Sequence, residues 1–417
     1  MRILQLTKAR AAKLLAGRRR RDLIAERAAA RILADVRRSG DAAVFRWTRR
    51  LDGIALTPAT LWIAPRELDQ ARRQASREFL RAVEHAARNI RRVAERQMPR
   101  PWSLAVEPGV RVGQRVEPLE TIGCYVPGGR FSLVSTLLMT AIPAQVAGVR
   151  RMVVTCPRPN AALLAAADLL GQREIARVGG AQAIGALAFG TESFPRVDKI
   201  YGPGNRYVTA AKRLVSAECA VDLPAGPTEV LVLAARGNPR WIAADLLAQA
   251  EHDADAVALF LTTSPRLARA VRDALISQLR ALPPSNPAWR SLASNGAILL
   301  APSLEAAARF ANLFAPEHLS LPGGETLLLA KIRSAGSVFL GPWSAQPVGD
   351  YASGANHVLP TGGWARARGG LSAWDFVKCS SVQRISRAGL RRLAPVVAAL
   401  AEAENLTAHA RAVEVRR

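Results

Sequence analysis

From about residue 120 the chain alternates short apolar runs with helical stretches, and this alternation limits the fold more than any other feature. Thr121–Val126 and Arg151–Cys156 open one series; Glu229–Leu233, Ala256–Leu261, Ala297–Leu300 and Ser337–Leu340 make a second. Nearly continuous apolar runs of this length suit parallel strands covered on both faces. Ser135–Val146 reads as a helix between the first two runs, and Ser264-Pro265 and Pro302-Ser303 are helix start signals. Two such series predict an α/β fold of two doubly wound, Rossmann-like lobes, with ligands beyond the carboxyl ends of the strands.

The ends of the chain read differently. Residues 1 to about 100 carry apolar positions at helical spacing, as in Ile24–Leu33 and from Glu67 to about Glu95, with Leu51-Asp52-Gly53 as a stop. A junction is expected after Pro99-Arg100-Pro101. Helices from Arg387 to about Glu404 and from Leu406 close the chain.

Charge narrows the function classes. The net charge is +25, yet only six of the 58 basic residues are lysine, and the arginines are spread over most of the chain. Such spacing fills solvated helix faces, and no recognised nucleic-acid module accompanies it, so a basic nucleic-acid-binding protein is the weaker alternative. No apolar run approaches a membrane span and no signal-peptide pattern opens the chain, so a cytoplasmic enzyme is expected. Cys124, Cys156, Cys219 and Cys379 are too scattered for a disulfide framework or thiolate zinc site, and read as buried small hydrophobes.

The polar signals converge on few places. Gln249 and His252 fall three apart near the end of a helix that starts at Asn238-Pro239, so both side chains share one face. An amide oxygen and an imidazole nitrogen so placed can reach one metal ion, although such a pair alone is more often solvated. Pro316-Glu317-His318 sets an acid beside a base. Gly349–His357 is a glycine-flanked loop carrying Asp350 and His357, the latter read as shaping the loop. His85 lies on a plain helix surface. Three glycine loops, at 127–129, 178–182 and 201–205, would let backbone amides approach a phosphate or ribose.

Ile122–Gly129, Val178–Ile184, Tyr201–Asn205, Pro224–Val230, Gln249–His252, Pro316–Leu319, Gly349–Gly354, Asn356–Thr361 and Leu406–His409 together resemble, in order and spacing, the histidinol dehydrogenase family. The resemblance implies oxidation of L-histidinol to L-histidine through L-histidinal, the last step of histidine biosynthesis, with NAD and one zinc ion per subunit. It puts the zinc ligands on Gln249, His252, Asp350 and His409, and the cofactor contacts on Tyr125, Gln182 and Asn205. Substrate contacts fall on Thr228, His318 and Glu404 beside those ligands, and Glu317 and His318 become the acid–base pair.

The resemblance also implies a division of the chain. Residues 1–22 form an N-terminal helical extension, 23–108 a helical part of the catalytic lobe, and 109–226 the cofactor-side α/β lobe. Residues 227–370 form the catalytic α/β lobe with the zinc ligands, and 371–417 complete the partner's site in a homodimer with shared active sites. Leu393, Val396, Val397 and Leu400 form an apolar stripe that needs burial somewhere. Two positions depart from the family: Thr228 stands where serine is usual, and Arg130–Leu133 replaces a Thr-Ala-Pro-like turn. A related NAD-dependent dehydrogenase acting on another amino or polar alcohol is therefore the runner-up.

Overall fold

The computed structural model describes the chain except residues 17, 19–21, 129–131, 224–225 and 324–325. Gly129 of one glycine loop, Arg130 and Phe131 of the divergent turn, Pro224 and Ala225 of one matched motif, and Arg19, Arg20 and Arg21 lie outside the described residues. In chain order the strands are β1 (Arg2–Gln5), β2 (Trp102–Glu107), β3 (Val110–Pro118), β4 (Thr121–Tyr125), β5 (Arg151–Thr155), β6 (Ile175–Ala176) and β7 (Lys199–Tyr201). They continue with β8 (Ala220–Val221), β9 (Glu229–Leu233), β10 (Val257–Thr262), β11 (Ala297–Leu300), β12 (His318–Leu321), β13 (Ser337–Leu340) and β14 (Val377–Ile385).

One parallel sheet runs β6-β5-β4-β7-β8 and a second runs β1-β11-β10-β9-β12-β13. Leaving β1 aside, each begins at its centre, adds two strands to one side, then switches to the other. This is the doubly wound order, with switch points between β4 and β7 and between β9 and β12. The α/β class with two lobes is therefore observed.

Residues 1–22 differ from the helical extension expected. Arg2–Gln5 is an edge strand in register with β11, and among the described residues of this segment the α-helix is Lys8–Ala16. Leu4, Leu6, Ala11, Leu14 and Leu15 all pack against the core that holds Leu299 and Phe310, so strand and helix together form an added unit of the second lobe. The helices of 23–108, expected with the catalytic lobe, instead cover the first sheet. Ala25, Ile32, Val36 and Trp47 share a core with Ile184, Leu187 and Val208. Leu68 and Ala71 pack with Leu163, and Ile90 with Leu138 and Ile142. A parallel sheet needs both faces covered, and these helices supply part of that cover. The first of them, Leu23–Asp52, is broken at Gly40, whose φ of 49° and ψ of −133° leave the helical region.

The remaining strands form an antiparallel sheet in the order β14-β3-β2, which ties 102–118 to 377–385. Most of it is exposed, including Trp102, Leu104, Val106, Val382 and Ile385. Cys379 sits on β14 and is exposed, unlike the other three cysteines, which are buried as expected. Helices Arg387–Ala403 and Thr407–Glu414 follow, with Val396 and Leu400 of the apolar stripe exposed. Among the described residues no helix is long and apolar enough to cross a membrane.

Candidate active site

A cavity of about 180 Å³ opens between the two lobes. On the first sheet it lies where expected, beyond the carboxyl ends: Gly202, Pro203 and Gly204 follow β7, and Asp222 and Leu223 follow β8. On the second sheet that expectation fails. Thr228 precedes β9, and His318 is the first residue of β12, so the cavity faces the amino ends of these strands. The reason is helical return. Gln249 lies at the end of helix Pro239–Ala250, with His252 just beyond it, and Asp350 lies near the end of helix Gln346–Tyr351; both helices follow strands and bring their last turns to the cavity.

The acid–base pair is held by backbone and side chain together. Chain direction reverses at Ala315, whose φ of 47° is left-handed, and Pro316 then leads into Glu317 and His318, both buried. Glu317 Oε2 accepts the Thr228 hydroxyl at 2.6 Å and the Glu229 amide at 2.8 Å. The Thr228 oxygen in turn accepts Gln249 Nε2 at 2.7 Å, so three side chains form one chain of hydrogen bonds. His318 Nδ1 lies 3.0 Å from the Glu229 carbonyl, which fits the tautomer with hydrogen on Nδ1. Its Nε2 is buried without a hydrogen-bond partner, 3.6 Å from Asp350 Oδ1.

Electrostatics follow from burial and neighbours. Burial raises the Glu317 carboxyl above its ordinary value, against His318 and its donors. Burial alone would lower His318, but Glu317 and Asp350 outweigh it and the imidazole is raised. Asp350 is held low despite burial, because His318 favours its charge. Gln346 Nε2 donates to Asp350 Oδ2, and His357 Nδ1 meets the Asp350 carbonyl at 3.1 Å, so His357 does shape this loop while also lining the cavity.

The other expected residues divide. Gln249 is fully buried with Oε1 unpartnered, while His252 is exposed on the cavity wall. The orphaned amide oxygen of Gln249, which is bonded to the cavity-lining Thr228, together with the imidazole and carboxylate of His252 and Asp350 on the cavity wall, fits the donor preferences of zinc. Among the described residues no three His, Cys, Asp or Glu side chains of this chain are arranged to hold a metal ion by themselves, and His409 and Glu404 are exposed on the C-terminal helices and do not line the cavity. Tyr125 ends β4 and its hydroxyl accepts the Gly180 amide, Gln182 donates to Asp52, and Asn205 caps helix Arg206–Val215. All three lie near the carboxyl edge of the first sheet, but none lines the cavity.

Sequence reasoning missed Gln346, Glu229 and the buried Lys212–Asp222 ion pair, which lines the cavity and binds both the amide and the carbonyl of Gly202. A signal existed for the last. In a chain that uses arginine almost everywhere, Lys212 is one of only six lysines, and it lies in a helix directly after the Tyr201–Asn205 glycine loop.

Three comparisons show which known proteins the chain is similar to. The family model described as histidinol dehydrogenase matches residues 17–417. A histidinol dehydrogenase of Geobacillus kaustophilus is 48% identical over 398 residues, covering 94% of this chain and 93% of its own length. One of Methanosarcina barkeri is 46% identical over 393 residues, covering 92% and 90%. The crystal structure of histidinol dehydrogenase from Elizabethkingia anophelis superposes with a TM-score of 0.92 at 38% identity, covering 99% of this chain and 96% of that one.

Proposed function

The chain belongs to the histidinol dehydrogenase family, and from that premise we propose how its residues carry the NAD-linked, four-electron oxidation of L-histidinol to L-histidine. Each of the two oxidations releases a hydride and a proton. Bound zinc would hold the substrate's imidazole and amine, and NAD, when bound, would supply the hydride acceptor. His318, with Nδ1 turned to the Glu229 carbonyl, takes the alcohol proton at Nε2. Glu317, with Oε2 occupied by Thr228 and Glu229, uses Oε1 to draw a proton from the water that adds to the aldehyde.

Gln249, His252 and Asp350 supply zinc donors from one chain, and His409 of the partner subunit supplies the fourth. Residues 371–417 then complete the partner's site, and Glu404 of the partner subunit reaches the substrate. The exposed stripe of Val396 and Leu400 supports a symmetric homodimer. Tyr125, Gln182 and Asn205 frame the NAD side, and the enzyme works in the cytoplasm. The observation that carries this reading is the pair of adjacent buried groups: His318 with its Nε2 unpartnered, and Glu317 with its carboxylate fixed through Thr228.

The test is stoichiometric. Purified enzyme given L-histidinol and excess NAD should form two NADH per substrate consumed. One NADH with accumulating aldehyde would reject the four-electron assignment. Replacing His318 should damage both steps, whereas Glu317→Gln should slow aldehyde oxidation more than alcohol oxidation; equal loss of both would reject the role given to Glu317.

A further inference from the structure

The N-terminal strand and helix end beside the catalytic residues. β1 runs parallel to β11 along the outer edge of the second sheet, and helix Lys8–Ala16 follows. Arg18 comes next, with its side chain buried against Glu229. Its Nε donates to Glu229 Oε1 at 3.0 Å and its Nη2 to Oε2, so the guanidinium grips the carboxylate with a fork. The remaining nitrogen donates to the carbonyl of Phe314, whose ring lies 3.6 Å under the guanidinium carbon.

Both partners adjoin the acid–base pair. Phe314 is the last residue of helix Leu304–Phe314, immediately before the left-handed turn at Ala315 that delivers Glu317 and His318. Glu229 gives its amide to Glu317 and its carbonyl to His318, while its carboxylate also accepts the Gly362 amide. One side chain thus clamps the start of β9 to the turn before β12, the two strands at the switch point. Burial pushes the Glu229 carboxyl up to about 6 even with Arg18 beside it, and the charge of Glu317 adds to that push. Removing Arg18 would leave two buried carboxylates side by side with one fewer compensating charge.

We propose that Arg18 is a positioning residue of the active site, setting Glu317 and His318 through Glu229 and Phe314. This rests on Glu317 and His318 being the acid–base pair. A misplacement near 1 Å at reacting groups costs on the order of 10²-fold in rate, so Arg18→Ala should lower kcat for both histidinol and histidinal by about 10- to 100-fold. KM for either substrate should move much less.

Three measurements separate this from loss of folding. Arg18→Lys keeps the charge but lacks the fork, and should fold and still lose several-fold in kcat. Millimolar guanidinium added to Arg18→Ala should restore part of kcat, as a merely unstable variant would not. Because Arg18 acts largely through Glu229, combining Arg18→Ala with Glu229→Gln should cost less than the product of the two single losses. Full kcat in both Arg18 variants, or no guanidinium rescue together with strictly multiplicative losses, overturns the role of Arg18. Neither touches the acid–base reading itself, which instead fails if His318→Ala keeps wild-type activity.

Discussion

Thr228 donates its hydroxyl hydrogen to Glu317 Oε2 across 2.6 Å while its oxygen accepts Gln249 Nε2, so one threonine fixes both the carboxylate proposed to activate water and the amide proposed to bind the metal. A hydrogen bond to a charged group contributes about 1.5–3 kcal/mol. Thr228→Val keeps the shape and deletes the hydroxyl, and should slow aldehyde oxidation by roughly 10- to 100-fold. Thr228→Ser keeps the hydroxyl, and should stay within about threefold in kcat/KM. Steady-state rates with histidinol and histidinal measure both.

Gln346 is fully buried and donates to Asp350 Oδ2 from one turn earlier on the same short helix. Partners that orient a metal-binding carboxylate are commonly worth 10- to 100-fold in metal affinity. Gln346→Leu should weaken zinc binding by about that factor, read by competition with a chelator of known affinity. Unchanged zinc affinity would remove Gln346 from this role.

Asp245 titrates against the fold. Burial pushes its carboxyl up to about 6 from an ordinary 3.8, with the Gln346 amide opposing. Because the folded value lies above the unfolded one, its favourable contribution is fully present below about pH 4 and is lost as pH rises through 6. Asp245→Asn keeps the shape without the charge, and should unfold at higher temperature than wild type above pH 6. The gain is up to about 3 kcal/mol at pH 7 and vanishes near pH 4. Melting curves across that range check the sign.

A site shared between subunits makes a mixing experiment decisive. His409→Ala and His252→Ala homodimers should each be inactive. After subunit exchange, a mixed dimer carries both lesions in one site and none in the other, so activity should return towards half per mixed dimer. No recovery, with exchange verified, would mean that each site is built within one chain.

Legibility in the sequence followed the physics of each element. Glu229–Leu233 and Ala297–Leu300 were readable because a strand buried on both faces is apolar throughout. Ile175–Ala176 and Ala220–Val221 were not, since two residues carry no period. β14 is exposed along nearly all of its length, so its pattern holds no imprint of a core. Glu317, His318, Gln249, His252 and Asp350 could be singled out as candidates from residue type and order, and all but Gln249 line the cavity. Their position at the amino edge of the second sheet was not legible, because it depends on how two sheets face each other across the cavity. Gln346 and Glu229 escaped for a related reason: their importance lies in the partners that the fold gives them.

The strand at Arg2–Gln5 has a consequence for synthesis. Its pairing partner, β11, begins at Ala297, so during synthesis Arg2–Gln5 is made nearly three hundred residues before the strand it pairs with. At 5–20 residues per second that delay is roughly 15–60 s. Nascent chains stalled before Ala297 should therefore keep Arg2–Gln5 open to proteolysis, and full-length chains should protect it. Arg18 follows this strand and also needs Phe314, so the clamp on Glu229 closes only after Phe314 has been made, and an early-made segment is among the last to find its place.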